Sequence, residues 1–120
     1  MGYESRLYIA NKRQVPDNTG MQWAETLARY DLSNYPIIAS FFAKQPQATC
    51  FVYAEDGNTK VLADRYGKPL TEAKPQEVIE LLEQAVRNGD KYRRTAPLLA
   101  MLKALDPLCW QELVVLHYGS

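Results

Sequence analysis

Histidine is almost missing from this chain. His117 stands alone in 120 residues, and the only cysteines are Cys50 and Cys109. A histidine-rich metal centre is excluded, and a zinc site would need both cysteines, His117 and a carboxylate, without any C-x-x-C or H-x-x-x-H spacing to gather them. Net charge is missing too: fourteen Lys plus Arg face fourteen Asp plus Glu. That balance excludes a general polycation for coating nucleic acid and a strongly acidic DNA mimic. The six glycines are scattered and form no phosphate-cradling cluster or P-loop. Long apolar runs are absent as well. Pro97-Leu98-Leu99-Ala100-Met101-Leu102 and Leu113-Val114-Val115-Leu116 fall far short of a membrane span. No apolar stretch follows a basic start, and Arg6 stands where myristoylation wants Ser or Thr. A cytoplasmic protein with reduced, buried cysteines and no membrane partner is therefore expected.

What is present is ordinary for a globular protein: 47% apolar and 23% charged residues. The length suits one domain over 1–120. Period-two patterns in the first half and helical patterns in the second predict an α+β fold, a small antiparallel sheet with two to three helices packed on one face. Arg6-Leu7-Tyr8-Ile9-Ala10-Asn11 reads as a strand, and the turn formers of Gln14–Gly20 lead to a second over Gln22–Tyr30. There Trp23, Glu25, Leu27 and Arg29 share one face and Ala24, Thr26, Ala28 and Tyr30 the other, although the composition also suits a helix. Pro36 opens a short helix carrying Ile37, Ile38, Phe41 and Phe42 on one stripe. Residues 49–53 and 59–63 form a hairpin around Asp56-Gly57.

The clearest helix runs from Pro75 to Asn88, with Val78, Ile79, Leu81, Leu82, Ala85 and Val86 as its apolar stripe. A second spans Thr95–Leu105, with Leu98, Leu99, Met101, Leu102 and Leu105 inward. Asp106-Pro107 starts one more short turn containing Trp110. The β-branched pair in Leu113–Tyr118 favours a final strand over a helix end.

No assembled catalytic set emerges, so neither catalytic residues, a metal nor a cofactor is expected. Cys50 or Cys109 with His117 could form a thiol–imidazole pair, but nothing local marks it. Glu55-Asp56-Gly57-Asn58 with Asp64 lacks the spacing of a calcium loop. Two features stand above this background. Lys91, Tyr92, Arg93 and Arg94, just past Arg87, form a basic and aromatic cluster between the two helices that suits phosphates, a base or an acidic partner. Tyrosine is favoured at recognition surfaces, and Tyr3, Tyr30, Tyr35, Tyr66 and Tyr118 lie in or beside loops and element ends, although core and edge packing explains most of them. Asp64-Arg65-Tyr66-Gly67-Lys68-Pro69-Leu70 carries one in a braced loop between hairpin and helix.

Several blocks also resemble a family of small uncharacterised proteins encoded by phages and prophages of Gram-positive bacteria. These are Ser5-Arg6-Leu7-Tyr8-Ile9, Tyr53-Ala54-Glu55-Asp56-Gly57-Asn58-Thr59, Asp64–Glu72, Tyr92–Lys103 and Leu113–Gly119. The resemblance carries no catalytic residues; it implies a phage context, where small accessory proteins, including inhibitors of CRISPR nucleases, act by binding host proteins. The expectation is a non-enzymatic protein that binds and inhibits or redirects a host protein, such as a CRISPR or other defence nuclease, in the bacterial cytoplasm. Its contact surface is expected at Arg65 and Tyr66 in one loop and Tyr92, Arg93 and Arg94 in another. The alternative is a nucleic-acid-binding module using Lys91–Arg94. A homodimer through an edge strand or the apolar C-terminal segment is also compatible with so short a domain.

Overall fold

The computed structural model describes residues 4–16, 22–105 and 112–120. It is an α+β fold whose elements follow the order β1 (Ser5–Pro16), β2 (Gln22–Leu32), α1 (Pro36–Ala43), β3 (Cys50–Tyr53), β4 (Lys60–Val61), β5 (Thr71–Ala73), α2 (Pro75–Arg87), α3 (Thr95–Leu105) and β6 (Glu112–Gly119). The expected short turn starting at Asp106-Pro107, Cys109, and most of the expected turn before β2 lie outside the described residues.

All six strands form one sheet in the order β4-β3-β2-β1-β6-β5. Neighbours run antiparallel except β2 and β3, which are parallel over Gln22–Cys50 and Trp23–Phe51. The all-antiparallel expectation is corrected here because α1 carries the chain back between β2 and β3, and such a crossover leaves two strands parallel. Beyond β3 the sheet curls. The Ala48 N–H donates to the Leu70 carbonyl at 2.8 Å and the Glu72 N–H to the Pro46 carbonyl at 3.1 Å. The segment entering β3 is thereby tied to β5 at the opposite edge of the strand order.

Curling gives the sheet two buried faces. On the outer face, Leu7 and Ile9 of β1 and Leu113 and Val115 of β6 meet Ile38 and Phe42 of α1, Val78, Ile79 and Leu82 of α2, and Leu98 and Leu102 of α3. On the inner face, Tyr8 and Ala10 join Ala24, Cys50, Val52, Leu70, Val114 and Leu116. Central strands buried on both sides read as nearly continuous apolar runs, as Leu7–Ala10 and Leu113–Leu116 do. The three alanines Ala10, Ala24 and Ala48 suit the tight inside of the curl. Lys12 closes one end of that interior. Its ammonium reaches Thr49 Oγ1 at 3.3 Å, Glu72 Oε2 at 3.2 Å and Glu112 Oε1 at 3.5 Å. Burial pulls its pKa down, but the hydrogen bond and charge of Glu72 outweigh that and hold it above the usual lysine value.

One irregularity reorganises β2. Ile9 pairs with Ala28 and Ala10 with Thr26, so Leu27 is an extra residue without a partner on β1. A bulge of this kind reverses the alternation on either side of it. Ala24 accordingly belongs to the inner core, whereas Ala28, Tyr30 and Leu32 pack with the helices. The single shared face expected for Ala24, Thr26, Ala28 and Tyr30 is thus broken at Leu27, which is 46% exposed.

The helices follow their sequence signals closely. Pro36 and Pro75 occupy first turns, and the Glu77 carboxylate accepts the Lys74 N–H at 3.2 Å. Gly89, with φ of +91°, ends α2 in the left-handed conformation that glycine adopts freely. Val86 departs from the expected stripe, since it is exposed at the last turn. The expected second hairpin strand is shorter than 59–63, covering Lys60–Val61 only. Strand β5 had no sequence signal, being three residues held between β6 and residues 46–48. The C-terminal segment is an interior strand between β1 and β5.

His117 on β6 faces α1, where its ring stacks on Phe42 at 5.1 Å and Nε2 lies 2.9 Å from Ser5 Oγ. Burial pushes its pKa down to about 4, with Asp64 opposing only weakly. A histidine depressed in the folded state stabilises it fully above the unfolded value of about 6.5 and loses that contribution as pH falls toward 4. We therefore expect urea-unfolding stability to drop by about 3 kcal/mol between pH 7 and pH 4 on account of this group. His117→Phe, which keeps a ring on Phe42 but takes no proton, should flatten that portion of the profile; an unchanged slope in the variant would contradict a buried neutral imidazole.

Candidate functional site

The loop between α2 and α3 carries three of the five residues expected to form a contact surface. It is held by tyrosines from β2, from the entry to α1 and from the loop itself. The Tyr30 hydroxyl donates to the Arg94 carbonyl at 3.2 Å. The Tyr35 hydroxyl lies 3.2 Å from Asp90 Oδ2 and 2.9 Å from Thr95 Oγ1, while Thr95 Oγ1 donates to Asp90 Oδ2 at 2.7 Å. Burial raises the Tyr35 phenol above its usual pKa, so it remains a donor throughout the neutral range. The Tyr92 ring meets Tyr35 edge-on at 4.7 Å, and its hydroxyl accepts the Ser33 N–H at 3.0 Å. Three of the eight tyrosines are thereby engaged in a polar clamp.

Tyr92 and Arg94 also do something the sequence did not suggest. The Arg94 guanidinium donates to the Asp31 carbonyl. With Tyr92 on Ser33, two side chains satisfy the outer edge of β2 where a neighbouring strand would otherwise sit. These two residues are thus engaged by the fold, while Lys91 and Arg93 project into solvent.

Arg65 and Tyr66 sit at the same end of the sheet on the far side of β1. The Arg65 N–H donates to the Gly119 carbonyl at 3.1 Å. Ser5 pairs with both Leu32 and Gly119, which places β1 between the two loops. Their anchoring strands are separated by two interstrand spacings, about 10 Å. The 64–68 loop is tightly built: Asp64 Oδ1 accepts the N–H groups of Tyr66 at 2.9 Å and Lys68 at 3.0 Å, and Gly67 takes φ of +79°. Tyr66 is 56% exposed there. The loop leads from β4 to β5 rather than directly to α2.

A well-formed concavity involves none of the five. It measures about 710 Å³ and lies on the inner side of the sheet, where β2 and the end of the β3–β4 hairpin part company. Arg6, Tyr8 and Arg29 come from β1 and β2, and Tyr53 and Glu55 from the hairpin. Arg6 Nε donates to Asp31 Oδ1 at 2.6 Å, and its guanidinium lies 5.4 Å from the Tyr118 ring centre. Arg29 pairs with Glu55 on the turn and lies 3.8 Å from Asp31 Oδ2. Asp56 serves its own turn, accepting from Asn58 N, Thr59 N and Thr59 Oγ1, and these bonds hold its pKa down to about 2. Sequence reasoning missed the cleft because it depends on the bulge: only the altered register puts Arg29 beside Tyr8 and Asp31 beside Arg6. A Leu in an otherwise alternating, solvent-facing position was the one available signal.

A smaller depression of about 190 Å³ lies beside His117, lined by Phe42, Asp64 and Lys68 among others. The thiol reading fails for Cys50. Cys50 belongs to the inner core while His117 stacks on the outer face, and burial pushes the thiol up to about 11. Cys109 lies outside the described residues.

Replacing Tyr35 by Phe should remove the hydroxyl from the Asp90–Thr95 cluster and lower stability by about 1–2 kcal/mol in urea unfolding. A midpoint within error of the parent would show that the clamp contributes nothing. No family model, no curated protein and no solved structure matches this chain, so no activity or partner is carried over from a relative.

Proposed function

We propose that the chain is a non-enzymatic phage accessory protein that binds a host protein and blocks or redirects it, a CRISPR or other defence nuclease being the expected class of target. The observation that carries this reading is the 64–68 loop. Asp64 fixes its backbone through two N–H groups, Gly67 supplies the turn, and Tyr66 stands exposed beside the exposed Arg65. A fixed backbone lowers the ordering cost of docking, and Tyr and Arg dominate binding hot spots. Arg93 is likewise exposed on the other loop.

The nucleic-acid reading draws less support. Of Lys91–Arg94, Tyr92 and Arg94 are spent on the edge of β2, which leaves Lys91 and Arg93 to meet a phosphate backbone. Two cations give only a shallow salt dependence.

Affinity capture from a host lysate, with and without nuclease, tests both. The tagged protein should retain a stoichiometric host protein after nuclease treatment. Arg65→Ala and Tyr66→Ala should each weaken that complex by about 2 kcal/mol, roughly thirtyfold, while Arg94→Ala should act mainly through stability. Recovery that vanishes with nuclease, or indifference to both loop substitutions, would overturn the proposal.

A further inference from the structure

The cleft on the inner face has an open strand edge as one wall. Pairing between β2 and β3 stops at Trp23–Phe51. Farther along, Arg94 and Tyr92 cover Asp31 and Ser33. Between these two stretches, among the described residues, no backbone hydrogen bond joins Thr26–Arg29 to anything but β1. The direction of those groups follows from the sheet. Glu4 and Ser120 exchange both of their backbone bonds, at 2.6 and 2.8 Å. In an antiparallel ladder, residues two apart face the same neighbour, so Arg6 and Tyr8 turn their backbone groups toward β6. Asp31 and Arg29, opposite them on β2, therefore turn theirs outward, as the Arg94 contact to the Asp31 carbonyl requires. Arg29 thus presents both a backbone N–H and a C=O to the gap.

The gap holds about 710 Å³, within the roughly 300–1,000 Å³ common for sites that enclose a single ligand. One extended chain segment suits it; a second copy of this sheet does not, because the Tyr53–Asp56 end of the hairpin forms the opposite wall. Side-chain chemistry is shown by what already sits there. Arg29, on the cleft floor, is engaged by Glu55, a carboxylate 74% exposed on a turn. Tyr8 and Tyr53 supply aromatic surface on either side.

We propose that this gap is a strand-insertion site, in which an extended peptide segment of a partner protein pairs with Thr26–Arg29 and places an Asp or Glu side chain on Arg29 in the position now held by Glu55. Main-chain pairing supplies affinity in such complexes and alternate side chains supply selectivity. The site is distinct from the Arg65–Tyr66 rim and stands whether or not that rim binds a partner.

The test uses fluorescein-labelled acetyl-Thr-Glu-Val-Glu-Thr-amide, a version N-methylated at alternate backbone nitrogens, and a version with Lys for Glu. Binding by anisotropy should be saturable for the first peptide and at least about tenfold weaker for the other two, the cost of losing backbone or charge-assisted hydrogen bonds. Glu55→Gln, on an exposed turn, should tighten binding about threefold or more by removing the internal competitor; Arg29→Gln should weaken it about tenfold with an unchanged circular dichroism spectrum. Amide signals of Thr26–Arg29 should shift on titration. No binding at about 1 mM peptide, equal binding of the N-methylated peptide, or an unaltered affinity in Glu55→Gln would overturn the proposal. So would sedimentation showing that the β2 edge is covered by a second copy of the chain.

Discussion

The extra residue at Leu27 is the constraint on which the rest of the molecule depends. Without it, Ala28, Tyr30 and Leu32 would face the inside of the curl and Arg29 and Asp31 would face the helices. With it, the first half of β2 lines the inner core and the second half builds the outer one. Arg29 and Asp31 are turned to the same side as Arg6 and Tyr8, away from the apolar faces of α1, α2 and α3. A bulged strand also bends and twists more strongly, which fits the loss of β2–β3 pairing after Trp23. The cleft, the ion pairs in it and the placement of Tyr30 against the α2–α3 loop are consequences of one register shift.

Strand edges created by that shift must still be satisfied or left to water. At the far end of β2 the protein uses side chains instead of a strand: Arg94 on the Asp31 carbonyl and Tyr92 on the Ser33 N–H. The same loop is fastened from beneath by Tyr30 and by the Tyr35–Asp90–Thr95 cluster. At the opposite margin, residues 46–48 occupy the outer side of β5. Each device blunts an edge that would otherwise invite association with another chain. Thr26–Arg29 is the stretch of β2 that neither device covers, and the bulge itself lies within it.

Much of the fold was legible because it rests on local signals. Pro36, Pro75 and Asn88-Gly89 mark helix ends by backbone chemistry that needs no tertiary contact. The apolar period of α2 fixes which of its faces is buried, with Val86 failing only because α2 is ending there. What escaped was set by long-range pairing. Strand β5 is three residues whose strand character comes from lying beside β6, and the parallel β2–β3 pair comes from the path of α1. The expected contact residues illustrate the same boundary. Arg65 and Tyr66 are where an exposed, braced loop was expected, since Asp64, Gly67 and Pro69 are local turn signals. Tyr92 and Arg94 looked equally available, yet they are taken up by backbone groups sixty positions earlier in the chain.

A net charge of zero concealed how the charges are arranged. Arg6, Asp31, Arg29 and Glu55 form an alternating chain across the cleft, and Lys12, Glu72 and Glu112 form a second group at the end of the curl. The two groups differ in character. Lys12 is buried, so breaking its contacts would leave a desolvated charge without a counterion, a costly outcome. It behaves as part of the core. The cleft pairs are largely solvated, and pairs of that kind contribute little to folding, with a median near 0–1 kcal/mol. Their carboxylates can therefore be exchanged for others at small cost to the fold. Asp56 is not exchangeable in this sense, because three hydrogen bonds within its own turn hold it. Among the described residues, Glu55 carries no such restraint beyond Arg29 itself. In the proposed strand-insertion site, this weak and replaceable pair is what an incoming carboxylate would displace.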